Sequence, residues 1–341
     1  MKFNNIECIN CKYKDWDCKN CFLNIKKGDN INLTLFFIMT RQCNYRCNYC
    51  AIDFSDNALS YQTIDDYIKF IQINRDKINE LRIEFFGGEP LLEFEKIKYI
   101  VKKTKILNIS RYSIVTNGEL LSPDKIIFFN NNNFDIIFSV ALHSLGILSR
   151  KELFNNNLKN FLINFIIEPG KESYMYEIFK KLIKIGFRKF SLIAIRYTKK
   201  RAIENLKNLD ILLNKIKKIN DGLKGHNINL GLFTGKNNDD IDNGIGKNDF
   251  EIVFDYDGNM YADYEVELYI LRDLVSKNIF NLDDIFLGNI NTDKNIDIYN
   301  LLKIRNIIKP HFYLNNIGNY LNIQENDIAL GKVMSKYNIN K

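Results

Sequence analysis

The sequence lacks any long apolar run. Its longest apolar stretches, such as Leu33–Met39 and Phe161–Ile167, fall far short of the roughly 20 residues that span a bilayer. No transmembrane helix is therefore predicted. Met1–Lys14 has neither an apolar core nor a small-residue cleavage site, so it is not predicted to be a signal peptide. We expect a cytoplasmic protein without a membrane partner.

Cysteine is missing from most of the chain, because all seven cysteines lie within the first 50 residues. A reducing compartment does not favour disulfides, so closely spaced cysteine pairs indicate metal ligands. Cys8, Cys11, Cys18 and Cys21 form two C-x-x-C pairs that can close a four-thiolate site. Such a site suits either structural zinc or a [4Fe-4S] cluster, and the softness of the ligands does not separate the two.

Length and composition indicate an ordered protein. The 341 residues are 46% hydrophobic, enough for one large domain with an appendage or for two modest domains. The formal charge of +7 comes largely from lysines along helix-like segments, which favours solvated helix faces. A zinc-ribbon protein that binds nucleic acid is an alternative of another class, but no basic patch interleaved with aromatic residues supports it.

From Leu33 onward, short apolar runs alternate with segments of helical periodicity, which predicts repeated βα units and a parallel sheet. The predicted strands are Leu33–Thr40, Leu81–Phe86, Tyr112–Thr116, Asp135–Leu142, Phe161–Glu168 and Lys189–Ile195. Helices are predicted at Tyr61–Asn79, Tyr174–Ile185 and Ala202–Ile219.

The last part of the chain follows a stretch rich in Gly, Asn and Asp, from Thr234 to Asn248. Beyond it, Phe250–Tyr256 and Met260–Val266 flank Asp257-Gly258-Asn259, which predicts a hairpin. We predict three units: a metal-binding segment at 1–30, a core at 31–225 and a C-terminal unit at 226–341.

Cys43, Cys47 and Cys50 form C-x-x-x-C-x-x-C directly after the first predicted strand. Three thiolates can hold a [4Fe-4S] cluster and leave one iron open to a substrate or cofactor, whereas a zinc site or a chance run of cysteines is the alternative. Gly87-Gly88-Glu89-Pro90 follows the second predicted strand. Alone it would be an ordinary turn.

Together these two motifs resemble those of the radical S-adenosylmethionine (SAM) superfamily, over Leu33 to about Thr198. The resemblance implies an α/β fold, a partial (β/α)6 barrel of the TIM type. It also implies a [4Fe-4S] cluster on the three cysteines, whose open iron is chelated by SAM. SAM is then cleaved to methionine and a 5′-deoxyadenosyl radical, which abstracts hydrogen from a substrate. The implied electron donor is a flavodoxin or ferredoxin.

The same resemblance implies SAM contacts along the ends of the strands. The predicted SAM-binding residues are Tyr49 against adenine, Gly87, Gly88, Glu89 and Pro90 at the amino group, Thr116 and Asn117 after the third strand, and Ser139, Asn164 and Arg196. The two glycines would let backbone approach the ligand. Ser139 would replace the family's ribose contact, because Ala141 stands at the usual Ser position. His143, at a barrel strand end, is the candidate for substrate or proton transfer, and a structural role is its alternative.

The C-terminal unit resembles SPASM or twitch members of the superfamily, which mature peptides. The resemblance lies in Phe254–Tyr261 and in Leu287-Gly288-Asn289-Ile290. Ala262 and Asp263 stand where a cluster cysteine is expected, so we predict a small α+β appendage without clusters. A second [4Fe-4S] cluster is then expected at the N-terminal cysteines, with zinc as the alternative. The expected substrate is a ribosomally made peptide, and a small molecule or cofactor precursor is the runner-up.

Overall fold

A computed structural model describes residues 31–47, 50, 52, 54–141, 145, 148, 160–168, 171–194, 206–222, 229–232, 249–262, 285–293 and 296–305. Several predicted functional residues lie outside these ranges, and their roles stay predictions: Cys8, Cys11, Cys18, Cys21, Tyr49, His143 and Arg196. Among the described helices, none is long and apolar enough to cross a membrane.

Within the described ranges, ten strands form one sheet with the order β10-β9-β8-β1-β2-β3-β4-β5-β6-β7. The strands are β1 Ile31–Thr40, β2 Ile78–Gly87, β3 Arg111–Thr116, β4 Phe134–Val140, β5 Phe161–Ile167, β6 Lys189–Ala194, β7 Asn229–Leu232, β8 Asp249–Phe254, β9 Asn259–Tyr261 and β10 Phe286–Asn289. All pairs from β8 through β1 to β7 are parallel, and β9 and β10 add antiparallel pairs at one edge.

In the ranges that the structure describes, helices that connect or follow these strands are α1 Tyr61–Asn74, α2 Phe94–Thr104, α3 Pro123–Asn131, α4 Glu172–Ile185 and α5 Leu206–Gly222. The first turn of α1 is capped by Ser60, whose side chain accepts a hydrogen bond from the Thr63 amide. Gly186, where φ is 123°, directly follows helix α4 and ends it. Turns of 3-10 helix occupy Arg75–Lys77, Pro90–Glu93 and Lys105–Leu107.

Aromatic contacts place α1, α3 and α4 on the same face of the sheet. Tyr67 of α1 stacks on Phe254 of β8 with ring centroids 4.1 Å apart. Phe129 of α3 packs on Phe134 of β4 at 4.8 Å, and Phe179 of α4 on Phe190 of β6 at 4.8 Å. Because side chains alternate between faces along a strand, the residues between these core positions point to the opposite face. That face is where the polar residues of the strands are found.

The predicted α/β fold and all six predicted strands are confirmed, with strand ends that differ from the prediction by at most three residues. The prediction that the first helix reaches Asn79 is wrong, because α1 ends at Asn74 and Ile78 already pairs with Ile31 in the sheet. The predicted hairpin is present as β8 and β9, but β8 also pairs in parallel with β1. Hydrogen bonds of one sheet thus cross the predicted boundary at 225/226, and the division into units stays a prediction.

Candidate active site

The cysteine loop begins directly after β1, at the carboxyl end of the parallel strands. Cys43, Cys47 and Cys50 are free thiols and half-buried. The amide of Cys50 donates to the Cys47 carbonyl at 3.1 Å. The guanidinium of Arg46 donates to the carbonyls of Cys43 and Tyr45 and lies 4.5 Å from the ring centroid of Phe54. The loop is therefore folded back on itself by its own polar groups.

The Cys43 thiol lies near two amide groups. Its Sγ accepts a hydrogen bond from the Tyr45 amide at 3.4 Å, and the side-chain amide of Asn117 lies 4.0 Å away. Burial raises the pKa of the Cys43 thiol, against the opposing effect of the Tyr45 amide. Since only thiolates bind iron, ligation must displace this proton. Amide hydrogen bonds to a ligating sulfur also set the potential of an iron-sulfur cluster.

The donor set fits a [4Fe-4S] cluster. In the described part of the chain, no three His, Cys, Asp or Glu side chains gather around one point as a single metal ion requires. A cluster has no such requirement, because each cysteine binds a different iron. Three half-buried thiols in one short loop would leave the fourth iron open, as SAM chelation demands.

Gly87 and Gly88 lie at the end of β2, next to residues 40–42, which form the root of the cysteine loop. A Cβ atom at Gly87 would be 2.4 Å from the Thr40 carbonyl oxygen, and one at Gly88 would be 2.1 Å from that of Gln42. The Gly88 amide donates to Thr40 at 2.8 Å, and the Glu89 amide donates to Gln42 at 2.9 Å. These close approaches are made by the protein's own backbone, and the predicted contact of the two glycines with SAM stays a prediction.

Glu89 is fully buried, and its carboxylate accepts hydrogen bonds from the turn that follows β2 and from the end of β3. Its Oε1 accepts from the Leu91 amide at 3.0 Å and from the Thr116 hydroxyl at 2.7 Å, and its Oε2 accepts from the Asn117 amide at 2.9 Å. Burial raises the pKa of Glu89 to about 7, although these hydrogen bonds act in the opposite direction. Pro90, also buried, begins the 3-10 turn that follows.

Sequence reasoning missed these hydrogen bonds of Glu89, by which the carboxylate ties the end of β2 to the end of β3. Its predicted contact near the amino group of SAM stays a prediction. The signal in the sequence is weak, because an acidic residue between Gly-Gly and Pro does not reveal that Thr116 and Asn117 follow the neighbouring strand.

The residues after β3 contact the cysteine loop. The side-chain amide of Asn117 donates to Asn44 at 2.8 Å, and the Tyr45 hydroxyl donates to Glu119 at 2.7 Å. The structure thus brings the predicted site residues Thr116 and Asn117 together with Glu89 and the cysteine loop. The bonds from Asn117 to Asn44 and from Tyr45 to Glu119 hold the start of the loop against the end of β3, and the predicted SAM contacts of Thr116 and Asn117 stay predictions.

A row of polar residues crosses the sheet from the carboxyl end of β4 to the middle of β5 and β6. Ser139 pairs in register with Asn164, and Asn164 pairs with Ser191. Asn164 is 8% exposed, and its Oδ1 is buried without a hydrogen-bond partner. A buried acceptor without a donor is costly, so this oxygen indicates a bound group that donates a hydrogen bond. Ser191 was missed by sequence reasoning, although a polar residue at the same register in three successive strands would have indicated it.

Comparisons with known proteins agree with this geometry. The family model of the radical SAM superfamily matches residues 37–209, about half of the chain. Radical SAM cyclopropyl synthase TigE of Paramaledivibacter caminithermalis is 33% identical over 134 residues, which are 34% of this chain and 28% of that protein. The S-adenosylmethionine-dependent nucleotide dehydratase of Psychrobacter lutiphocae is 30% identical over 129 residues, 34% of this chain and 43% of that protein. The matched segments thus span less than half of either relative.

Solved structures share the fold over more of the chain. Native anSMEcpe with bound AdoMet superposes with a TM-score of 0.61 at 18% identity, covering 91% of this chain and 100% of that one. SuiB of Streptococcus suis bound to the precursor peptide SuiA gives a TM-score of 0.57 at 15% identity, covering 84% and 67%. The family match contains the cysteine loop, the Gly87-Gly88 turn and the polar row, and the chain therefore belongs to the radical SAM superfamily of enzymes.

Proposed function

We propose that this enzyme holds a [4Fe-4S] cluster on Cys43, Cys47 and Cys50 and uses SAM to remove a hydrogen atom from a peptide during its maturation. One observation carries the proposal: the three-thiol loop is fixed over Gly87-Gly88 by backbone hydrogen bonds at 2.8 and 2.9 Å. When bound, the cluster supplies the electron for reductive cleavage of SAM. The electron would come from a flavodoxin or ferredoxin.

The polar row is proposed to bind SAM. Asn164 Oδ1 is a buried acceptor without a partner, so a hydroxyl or ammonium group of SAM can donate to it. Ser139 and Ser191 flank Asn164 in register and offer hydroxyl groups on either side. Tyr49 and Arg196 stay proposals as the adenine contact and the partner of the SAM carboxylate.

This chain's residues would orient the ligands and exclude water. Asn117 places its amide toward Asn44 and Cys43, and Glu89 holds the Asn117 backbone. Because Glu89 and Asn117 are buried, they hold Cys43 and Asn44 in place before SAM arrives. His143 is proposed to transfer a proton to or from the substrate.

A peptide substrate is supported by likeness of fold. The solved structures of anSMEcpe and SuiB include complexes with peptides, and the anSMEcpe complex with Cp18Cys peptide covers 91% of this chain. A small molecule or cofactor precursor is the second candidate. It is favoured by the nucleotide dehydratase and by GTP 3′,8-cyclase of Petrotoga mobilis, which is 24% identical over 51% of this chain.

The N-terminal cysteines are proposed to bind a second [4Fe-4S] cluster that contacts substrate or relays electrons. The support is the absence of cysteine after residue 50, which leaves the hairpin of β8 and β9 without thiolates for an auxiliary cluster. Structural zinc at Cys8, Cys11, Cys18 and Cys21 is the alternative.

The test uses anaerobically reconstituted full-length protein with dithionite and SAM. Wild type should release 5′-deoxyadenosine and hold about eight irons. Cys47→Ala should abolish SAM cleavage, because two thiolates in the loop cannot retain the cluster. The matched Cys8→Ala/Cys11→Ala variant should keep SAM cleavage and hold about four irons.

Two outcomes would contradict these assignments. Continued SAM cleavage by Cys47→Ala would refute the cluster site, and about one zinc with only about four irons in wild type would refute the second cluster. The substrate class is tested by mass spectrometry of short peptides encoded beside the gene. If a nucleotide changes in mass and none of these peptides does, the second candidate is favoured.

A further inference from the structure

Arg41 and Asp255 form a buried ion pair between the root of the cysteine loop and the C-terminal part of the chain. The distance from Arg41 Nη2 to Asp255 Oδ2 is 2.7 Å, and the side chains are 6% and 5% exposed. Arg41 directly follows β1, and Asp255 directly follows β8. A guanidinium and a carboxylate buried together must stay paired, because either charge alone would be strongly unfavourable.

We propose that Asp255 is a positioning residue that acts through Arg41 to hold the cysteine loop, and with it the cluster, in place. The inference rests on the proposed cluster at Cys43, Cys47 and Cys50. It gives the C-terminal hairpin a role at the cluster even though that hairpin has no cysteine.

Asp255 is itself rigidly held. Its Oδ1 accepts from the Tyr256 amide at 2.8 Å, and its carbonyl accepts from the Tyr67 hydroxyl at 2.9 Å. Tyr67 is fully buried and stacks on Phe254 with an interplanar angle of 3°. The carboxylate therefore has a fixed position that is set by α1 and β8.

On the other side of the ion pair, the loop root shares its partners with the hairpin. The amide of Arg41 and the hydroxyl of Thr40 both donate to the Asn57 carbonyl at 2.9 Å. The Asn57 side chain donates to the Tyr256 hydroxyl at 3.2 Å. Backbone bonds from Gly88 and Glu89 hold the same root from β2. The loop is thus held between β2 and the end of β8. Loss of either support should let the loop move relative to the sheet.

The test compares reconstituted full-length Arg41→Gln and Asp255→Asn with wild type. Both variants should shift the midpoint potential of the cluster. Both should also alter the change that SAM produces in the electron paramagnetic resonance spectrum of the reduced cluster. Both should also lose iron to a chelator roughly ten-fold faster, as loss of a residue that positions a metal ligand does. Arg41→Lys keeps the charge and should restore most of the wild-type spectrum.

Lys77→Met is the matched control. Lys77 and Asp297 form another ion pair with the C-terminal part, 2.6 Å long, but Lys77 directly precedes β2 at the opposite end of the strands. This variant should lower the melting temperature without altering the spectrum or iron release. Equal spectroscopic changes in Lys77→Met would reduce the Arg41–Asp255 pair to a general stabilising contact and overturn the proposal.

The double variant Arg41→Met/Asp255→Leu keeps the test valid if single variants fail to fold, because it buries no unpaired charge. A folded double variant with the wild-type potential, spectrum and iron release would overturn the positioning role. Wild type without a SAM-responsive cluster signal would instead refute the proposed function, so the two failures are distinguishable.

Discussion

The hydroxyl of Thr116 donates a hydrogen bond of 2.7 Å to the fully buried carboxylate of Glu89, joining the ends of β3 and β2. Thr116→Val keeps the shape of the side chain but removes this donor. We expect it to lower the free energy of unfolding by about 1–3 kcal/mol, because a buried carboxylate loses a partner. Thr116→Ser retains the hydroxyl and is the control. Chemical denaturation under anaerobic conditions measures both, and equal stability of the two variants would contradict the role of the hydroxyl.

Gly87 and Gly186 have nearly the same φ, 124° and 123°, but different surroundings. A Cβ atom at Gly186 would meet nothing within 4 Å, whereas at Gly87 it would be 2.4 Å from the Thr40 carbonyl oxygen. Gly186→Ala should cost only the backbone strain of about 1–2 kcal/mol. Gly87→Ala should cost more and should also lower the iron content of the cysteine loop, because Thr40 must move.

Thermal denaturation and iron analysis check this pair of variants. From the sequence, Gly87 was predicted to contact the amino group of SAM. The contact with Thr40 predicts that substitution of Gly87 affects the cluster as well as SAM binding. Iron content equal to wild type in Gly87→Ala would limit the role of Gly87 to SAM binding.

Glu84 should make stability depend on pH. Burial, together with the nearby carboxylates of Glu251 and Asp135, raises the pKa of Glu84 to about 7, against the hydrogen bond from Ser113. An unfolded chain loses this proton near pH 4.5, so the folded state holds more protons between about 4.5 and about 7. The unfolding free energy therefore decreases as pH rises through that range.

Glu84→Gln has no proton to lose at this position. Relative to wild type, its unfolding free energy should increase by on the order of 1 kcal/mol between about pH 5 and about pH 8. Urea denaturation at both pH values measures the difference. Glu95→Gln, which changes a carboxylate that is 73% exposed, should follow wild type. A constant difference between Glu84→Gln and wild type would show that Glu84 titrates normally.

Asn164→Ala tests the polar row. Because Oδ1 of Asn164 has no partner in the protein and is proposed to accept a hydrogen bond from SAM, its removal should lower SAM affinity by roughly ten-fold. Asn160→Ala, at an exposed position just before β5, is the matched control and should bind SAM as wild type does. Calorimetric titration with SAM measures the affinity of both variants. Unchanged affinity in Asn164→Ala would place SAM elsewhere.

The barrel strands could be predicted from sequence because each is a short apolar run between polar segments. Ile31 and Ile78 extend the predicted ends of β1 and β2, where the apolar pattern is interrupted by Asn32 and Asn79. The first helix was predicted to be too long for a related reason. Isoleucine and asparagine near residue 78 are compatible with a helix surface and with the start of a strand, and only the pairing with β1 distinguishes the two.

The parts that could not be predicted depend on contacts between distant residues. Periodicity identifies β8 as a strand but not its parallel pairing with β1, because the register is set by packing against α1. Similarly, the motif around Glu89 marks a site, yet the direction of its carboxylate depends on where β3 ends.

The position of β1 between β2 and β8 also has a consequence for biosynthesis. Residues 78–87 can pair with β1 early, but residues 249–254 emerge from the ribosome much later. Until then β1 has an open edge that invites pairing with other chains, and the arginine beside the cysteine loop has no carboxylate partner. We therefore expect iron-sulfur delivery to follow completion of β8, and nascent chains truncated before it to aggregate rather than take up iron.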